Sequence, residues 1–220
     1  MAAWPSTSTL TDTQPGWKTW AVPANRPAHL VGWSDGGIVA LLVALRQPEL
    51  VRKLVVIGTN YHYNGTVPFD LDPQSPMAQE LGRAYIERSP DGPEHLDVVF
   101  GKSVAMFTTE PTLTTTDIAQ ITQPVLVIVG DDDVVTLPHT LSLYEALPEG
   151  QLAVVPGASH GLPLEQPETV AGLISNFLAA AEPPRTFMPI RRARQTDSQV
   201  PSRRRDLFEL TGQFSYDWSR

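Results

Sequence analysis

An α/β fold with a mainly parallel sheet and flanking helices is predicted for this chain of 220 residues by three observations. Short apolar runs rich in β-branched residues alternate with helix-like stretches from Ala28 onward, the pattern of strands buried on both faces by crossover helices. The three runs after the first, Lys53–Ile57, Val125–Val129 and Leu152–Val155, each stop at a glycine or proline. The first run, His29–Trp33, leads into Gly32-Trp33-Ser34-Asp35-Gly36 and then a helix-like stretch, Gly37–Leu45, so a sharp strand-to-helix turn is written into the chain.

Taken in order, residues 1–26 show weak periodicity, a polar Ser/Thr stretch and Trp4, Trp17 and Trp20, and are expected to form an irregular N-terminal segment. A domain over residues 27–184 follows. Its alternation is interrupted at residues 59–120 by two helix-like stretches, Met77–Arg88 and Glu94–Phe107, set between proline-rich loops at 68–76 and 90–93. A short helical cap over the sheet's C-terminal edge fits that interruption. Leu137–Leu147 reads as a helix between the last two strands, and Glu165–Ala180 as another, with Val170, Leu173, Ile174, Phe177 and Leu178 on one face. Residues 185–220 read as a flexible, arginine-rich tail.

Composition narrows the chemistry. A hydrophobic content of 41% supports one well-filled core in a chain of this length. The absence of cysteine excludes disulfides, thiolate nucleophiles and cysteine metal sites, leaving oxygen and imidazole groups. Residues 1–184 carry a net charge of −12 and residues 185–220 a net +4, and an acidic body is unsuited to nucleic acid. No basic and apolar leader opens the sequence, and no apolar run reaches membrane-spanning length. The expectation is a cytoplasmic protein without metal, nucleic-acid or membrane partners.

A serine attacks well only when a base takes its proton and a third group orients that base, so the elbow calls for a histidine and a carboxylate. Both stand downstream at strand ends: Gly130-Asp131-Asp132-Asp133 follows one apolar run, and Pro156-Gly157-Ala158-Ser159-His160-Gly161 follows another. Burying three adjacent carboxylates would be prohibitive, so two of the three aspartates are expected to be solvated. His29, His62, His95 and His139 are expected to be structural or exposed. The Asp35 backbone N–H, at a helix N-terminus, is the candidate oxyanion donor. The Asp35 side chain would either attract a cationic substrate group or cap the helix. Trp33 beside the serine, with Tyr85 and Phe107 of the insertion, completes the candidate substrate-binding residues.

Three stretches, AHLVGWSDGGIVALLVALRQPELVRKLVVIG, PVLVIVGDDDVV and AVVPGASHGLPLEQPE, resemble the α/β-hydrolase superfamily from about Ala28 to Leu178. The order serine, aspartate, histidine is that of the family. The elbow is similar to that of biphenyl-hydrolase-like and valacyclovirase-like esterases. The resemblance implies an eight-stranded sheet with a cap after the sixth strand, no cofactor, and hydrolysis of a small carboxylic ester through an acyl-serine intermediate. The family's G-x-x-D motif selects Asp133, with Asp132 as the fallback, beside Ser34 and His160. A serine nucleophile argues against the haloalkane-dehalogenase and epoxide-hydrolase branches.

Members of that family place four strands and an HG-type oxyanion loop before the elbow, whereas 33 residues precede Ser34 here and contain no His-Gly pair. The expectation is therefore a sheet whose N-terminal strands, and a second oxyanion donor with them, are missing. Losing one such donor costs about 10² to 10³ in rate. An uncovered apolar edge would also invite self-association. The rival expectation is a non-catalytic remnant that keeps these motifs and binds a ligand or partner.

Overall fold

The computed structural model describes residues 26–68, 72–181 and 186–188. The irregular segment expected before residue 27 and nearly all of the arginine-rich tail lie outside the described residues. The chain divides into two units, Met1–Ala181 and Glu182–Arg220, and every element named below belongs to the first.

Four strands, β1 (Ala28–Trp33), β2 (Val51–Ile57), β3 (Val125–Asp132) and β4 (Gly150–Ser159), form one sheet in the order β1-β2-β3-β4. All three pairings are parallel. The crossovers carry the helices α1 (Asp35–Arg46), α2 (Pro76–Arg88), α3 (Leu96–Thr109), α4 (Thr115–Ile118) and α5 (Leu137–Ala146), and α6 (Leu162–Glu165) and α7 (Pro167–Ala179) follow β4.

Side chains alternate across a strand, so β2 and β3 feed two cores at once. Leu54, Val56, Val125 and Val127 pack with Leu41 and Ala44 of α1, Ile118 and Ile121 at α4, and Leu143 of α5. Val55, Ile57, Leu126 and Ile128 point the other way, onto Leu162 of α6 and Val170 and Phe177 of α7. Lys53 ties the second layer down: its Nζ donates to the Phe177 and Leu178 carbonyls at 2.8 and 3.2 Å and also to that of Ala180. Those carbonyls end α7 and lack helical partners of their own.

Where elements differ from the sequence reading, the cause is local. The helix read over Glu165–Ala180 is broken at Gln166 (φ −134°, ψ 58°), because the residue before Pro167 is disfavoured in helical geometry. The sequence reading also missed α4, which starts at Thr114 in a reciprocal cap: the Thr114 N–H donates to Asp117 and the Asp117 N–H to Thr114 Oγ1. With Ile118 and Ile121 fully buried, the end of the 59–120 insertion belongs to the core. The strands β1 and β4 are the sheet's two edges among the described residues, and Val31 on β1 is half exposed.

Candidate active site

Parallel strands bring all their C-terminal ends to one edge of the sheet, where open α/β sheets bind ligands. Ser34 follows β1, Gly58 follows β2, Asp133 follows β3 and His160 follows β4. Four chain segments far apart in sequence thus meet.

Ser34 sits in the turn between β1 and α1 with φ 55° and ψ −122°, a backbone conformation rare for a residue with a Cβ. Such strain persists only where the surroundings enforce it. Here the Ser34 N–H donates to the Ile57 carbonyl at 2.8 Å, and its own carbonyl accepts from the Gly37 N–H at 2.9 Å and from Thr59 Oγ1 at 3.3 Å. The turn is so close that a Cβ on Gly32 would overlap the Gly36 backbone, and one on Gly37 would overlap Thr59. Gly36, by contrast, faces open space. The steric need for glycine on both sides of the serine is therefore met by Gly32 and Gly37.

His160 Nε2 lies 3.0 Å from Ser34 Oγ, and His160 Nδ1 lies 2.8 Å from Asp133 Oδ1. With the proton on Nδ1, the ring donates to Asp133 and accepts from the serine hydroxyl. The Asp133 side chain is 1% exposed and the His160 side chain 30%, so the acid is sealed while the base faces the opening. Gly58 (φ 52°) makes this approach possible, since a Cβ there would lie 3.0 Å from both Asp133 Oδ2 and His160 Nδ1.

Of the three aspartates, Asp133 reaches the histidine and Asp132 is exposed. Asp131 does something the sequence did not announce: its Oδ1 accepts from the Gly157 and Ala158 N–H groups at 2.7 and 3.3 Å, pinning the loop that bears His160. Glu165 pins the next residue, accepting from the Ser159 N–H at 2.7 Å and from its hydroxyl; these bonds hold the Glu165 carboxyl below the usual carboxylate range. Ser159 and Glu165 stand six positions apart, outside the three-residue spacing of a capping box. The strands β3 and β4 run on to Asp132 and Ser159, beyond the apolar runs that predicted them, because Asp132 pairs with Ser159 after a register shift at Gly130.

Asp35 opens α1, where the first N–H groups lack intrahelical acceptors. Burial pushes its carboxyl pKa up, and the nearby His160 pulls in the opposite direction. Trp33 is joined to His160, its Nε1–H donating to the His160 carbonyl at 2.9 Å. Phe107 lies in the wall of a cleft of about 530 Å³ with Tyr63, Asn64, Thr66, Val67, Pro68 and Thr108. That cleft adjoins the acid loop through an antiparallel bridge between Thr66 and Val135. Tyr85 lies on α2, its buried hydroxyl without a hydrogen-bond partner among the described residues.

The remaining histidines have structural settings. His139 stacks on Tyr61 at 4.1 Å and accepts from the Tyr61 N–H at 3.2 Å; burial, then His62, pushes its pKa down to about 4. His29 sits on β1, its pKa lowered by burial and then by Arg52 and Lys53. Among the described residues, no three His, Asp or Glu side chains are grouped to hold a metal ion. Nor is any described helix long and apolar enough to cross a membrane.

Strand order, two-sided helical cover and a strained serine turn at the strand ends together define an α/β-hydrolase fold. The chain belongs to the alpha/beta hydrolase family, whose pattern matches residues 6–173. It is 29% identical to the 2-hydroxymuconate semialdehyde hydrolase of Pseudomonas putida over 70% of this chain and 63% of that protein. It is 26% identical to the serine hydrolase BPHL of Mus musculus over 70% of this chain and 55% of that one. The chain thus spans less than two thirds of either relative. Among solved structures, a serine hydrolase involved in carbazole degradation superposes with a TM-score of 0.56 at 21% identity, covering 70% of this chain and 64% of that one, a likeness of fold.

Proposed function

We propose that this protein is a serine hydrolase acting on a small carboxylic ester. The observation that supports it most is the continuous path from Ser34 Oγ through the His160 ring to the buried Asp133 carboxylate. Ser34 Oγ attacks the ester carbonyl carbon while its proton passes to His160 Nε2, and the resulting imidazolium is stabilised by Asp133. The Asp35 N–H donates to the oxyanion. Collapse of the tetrahedral intermediate breaks the bond to the alkoxide, which takes the proton from Nε2 and leaves an acyl-Ser34. Water then attacks that acyl group as His160 takes its proton, releasing the carboxylic acid and restoring the serine. The relatives' names support hydrolysis, and that of the mouse relative a serine nucleophile.

For the substrate, the Asp35 carboxylate next to the nucleophile favours an acyl group carrying a cation, such as the ammonium of an amino-acid ester. The cleft walled by Phe107 would take an uncharged part of the substrate. Labelling with a fluorophosphonate probe tests the nucleophile. Modification of the wild type and none of Ser34→Ala is expected; an unlabelled, folded wild type would overturn the reading. An amino-acyl ester should be cleaved faster than its des-amino analogue by the wild type, and Asp35→Ala should lose that preference. Because burial raises the Asp35 pKa, the preference should fade on acidification at a higher pH than an ordinary carboxylate would give. An equal preference in both proteins would remove Asp35 from substrate selection.

A further inference from the structure

Trp33 ends β1 and immediately precedes the serine, yet its side chain reaches the residue that follows β4, the strand at the sheet's other edge among the described residues. The indole Nε1–H donates to the His160 carbonyl oxygen at 2.9 Å, joining residues 127 apart in sequence. The indole and imidazole centroids lie 6.2 Å apart with their planes tilted by 41°. A closed circuit results: the Ser34 backbone continues from Trp33, Trp33 grips the His160 backbone, and the His160 ring returns to Ser34 Oγ at 3.0 Å.

The other anchors of this loop grip residues ahead of the histidine. Asp131 holds Gly157 and Ala158, and Glu165 holds Ser159, all on the β4 side. At His160 itself the backbone is held from β1. Asp133 orients the ring through Nδ1, but a ring can turn correctly and still stand too far from the serine if its backbone drifts. Trp33 removes that freedom by referring the position of His160 to the strand that carries the nucleophile.

We propose that Trp33 is a positioning residue: its indole N–H sets the separation of His160 Nε2 and Ser34 Oγ. The proposal rests on the reading of Ser34 as the nucleophile and His160 as its base. The N–H of the indole is engaged by the protein, while the residue remains 40% exposed.

Two substitutions isolate the N–H. Trp33→Phe keeps an aromatic ring without a donor. Trp33→His places Nε2–H on a five-membered ring, separated from Cβ by the same number of bonds as the indole Nε1–H. If sub-ångström drift of the base is what the bond prevents, kcat should fall about 10-fold in Trp33→Phe. KM should stay within about twofold, and Trp33→His should recover most of the loss, because binding contacts are untouched and the donor is restored. A second readout needs no turnover: solvent exchange of the His160 Nδ1 proton, followed by NMR, should be faster in Trp33→Phe and near wild type in Trp33→His. Should Ser34 fail to label, the hydrolase reading falls while the exchange measurement still judges Trp33. Wild-type kcat and exchange in Trp33→Phe would overturn the proposal, as would a rise in KM at constant kcat in both variants, the mark of a substrate contact.

Discussion

Gly58 offers the sharpest quantitative test of how this site is assembled. It follows β2, the strand between those that carry the nucleophile and the acid, at φ 52°, a conformation that costs an L-residue about 1–2 kcal/mol. An alanine Cβ would stand 3.0 Å from Asp133 Oδ2 and from His160 Nδ1, where ordinary contact begins near 3.4 Å. Neither neighbour gives way freely, since the Asp133 side chain is 1% exposed and its other oxygen holds the histidine. The shortfall of about 0.4 Å must appear as displacement of the pair. Misplacement by 1 Å can cost about 10² in rate, so a proportional share is roughly 5- to 10-fold in kcat/KM for Gly58→Ala. Stability should fall by about 1–2 kcal/mol from the backbone alone. Urea denaturation and ester hydrolysis read the two effects separately. Gly172→Ala is the control: it sits exposed on α7 with open space at its Cβ and should gain about 0.5–1 kcal/mol. Wild-type stability and rate in Gly58→Ala would refute the reasoning that close approach at β2 sets the geometry of the pair.

Other consequences follow from the same structure. Asp133→Asn keeps the shape but not the charge, and should lower kcat by about 10⁴ with folding intact; a loss under tenfold would point to Asp132 as the acid. Lys53→Met removes a charged donor from three carbonyls at the end of α7, and a loss of about 1.5–3 kcal/mol is expected by denaturant unfolding. His139, held neutral in the fold with a pKa of about 4 against 6.5 unfolded, contributes stability that is complete above pH 6.5 and declines as the pH falls towards 4. The full difference corresponds to about 3 kcal/mol, which partial exposure of the ring screens to about 1–2 kcal/mol. The wild type should therefore lose more stability than His139→Gln between pH 7 and pH 4.5, and parallel losses would contradict this.

The strands and long helices were legible because each is a local pattern. A β-branched run ending in glycine or proline specifies a strand, and a 3.6-residue stripe specifies α7. The strand ends are not a local pattern, since β3 and β4 are prolonged by the pairing of Asp132 with Ser159, 27 residues further along. Likewise, the G-x-S-x-G pattern located the tight turn but not its steric demands. Those depend on Thr59 behind Gly37 and on the close approach of Gly32 and Gly36, both products of packing.

By itself the sequence determined the α/β class, the serine at a strained strand-to-helix turn, and the candidate acid and base at two later strand ends. These follow from hydrophobic period, turn residues and spacing, all encoded within about ten neighbouring positions. Only the tertiary structure decided how those ends converge: that Asp133 meets His160 while Asp131 clamps its loop, that Gly58 leaves room beside the pair, and that Trp33 reaches across to the histidine backbone. The physical reason is that each of these contacts joins residues from different strands. Parallel pairing and helix packing bring them within hydrogen-bonding distance, and neither leaves a mark in the local sequence.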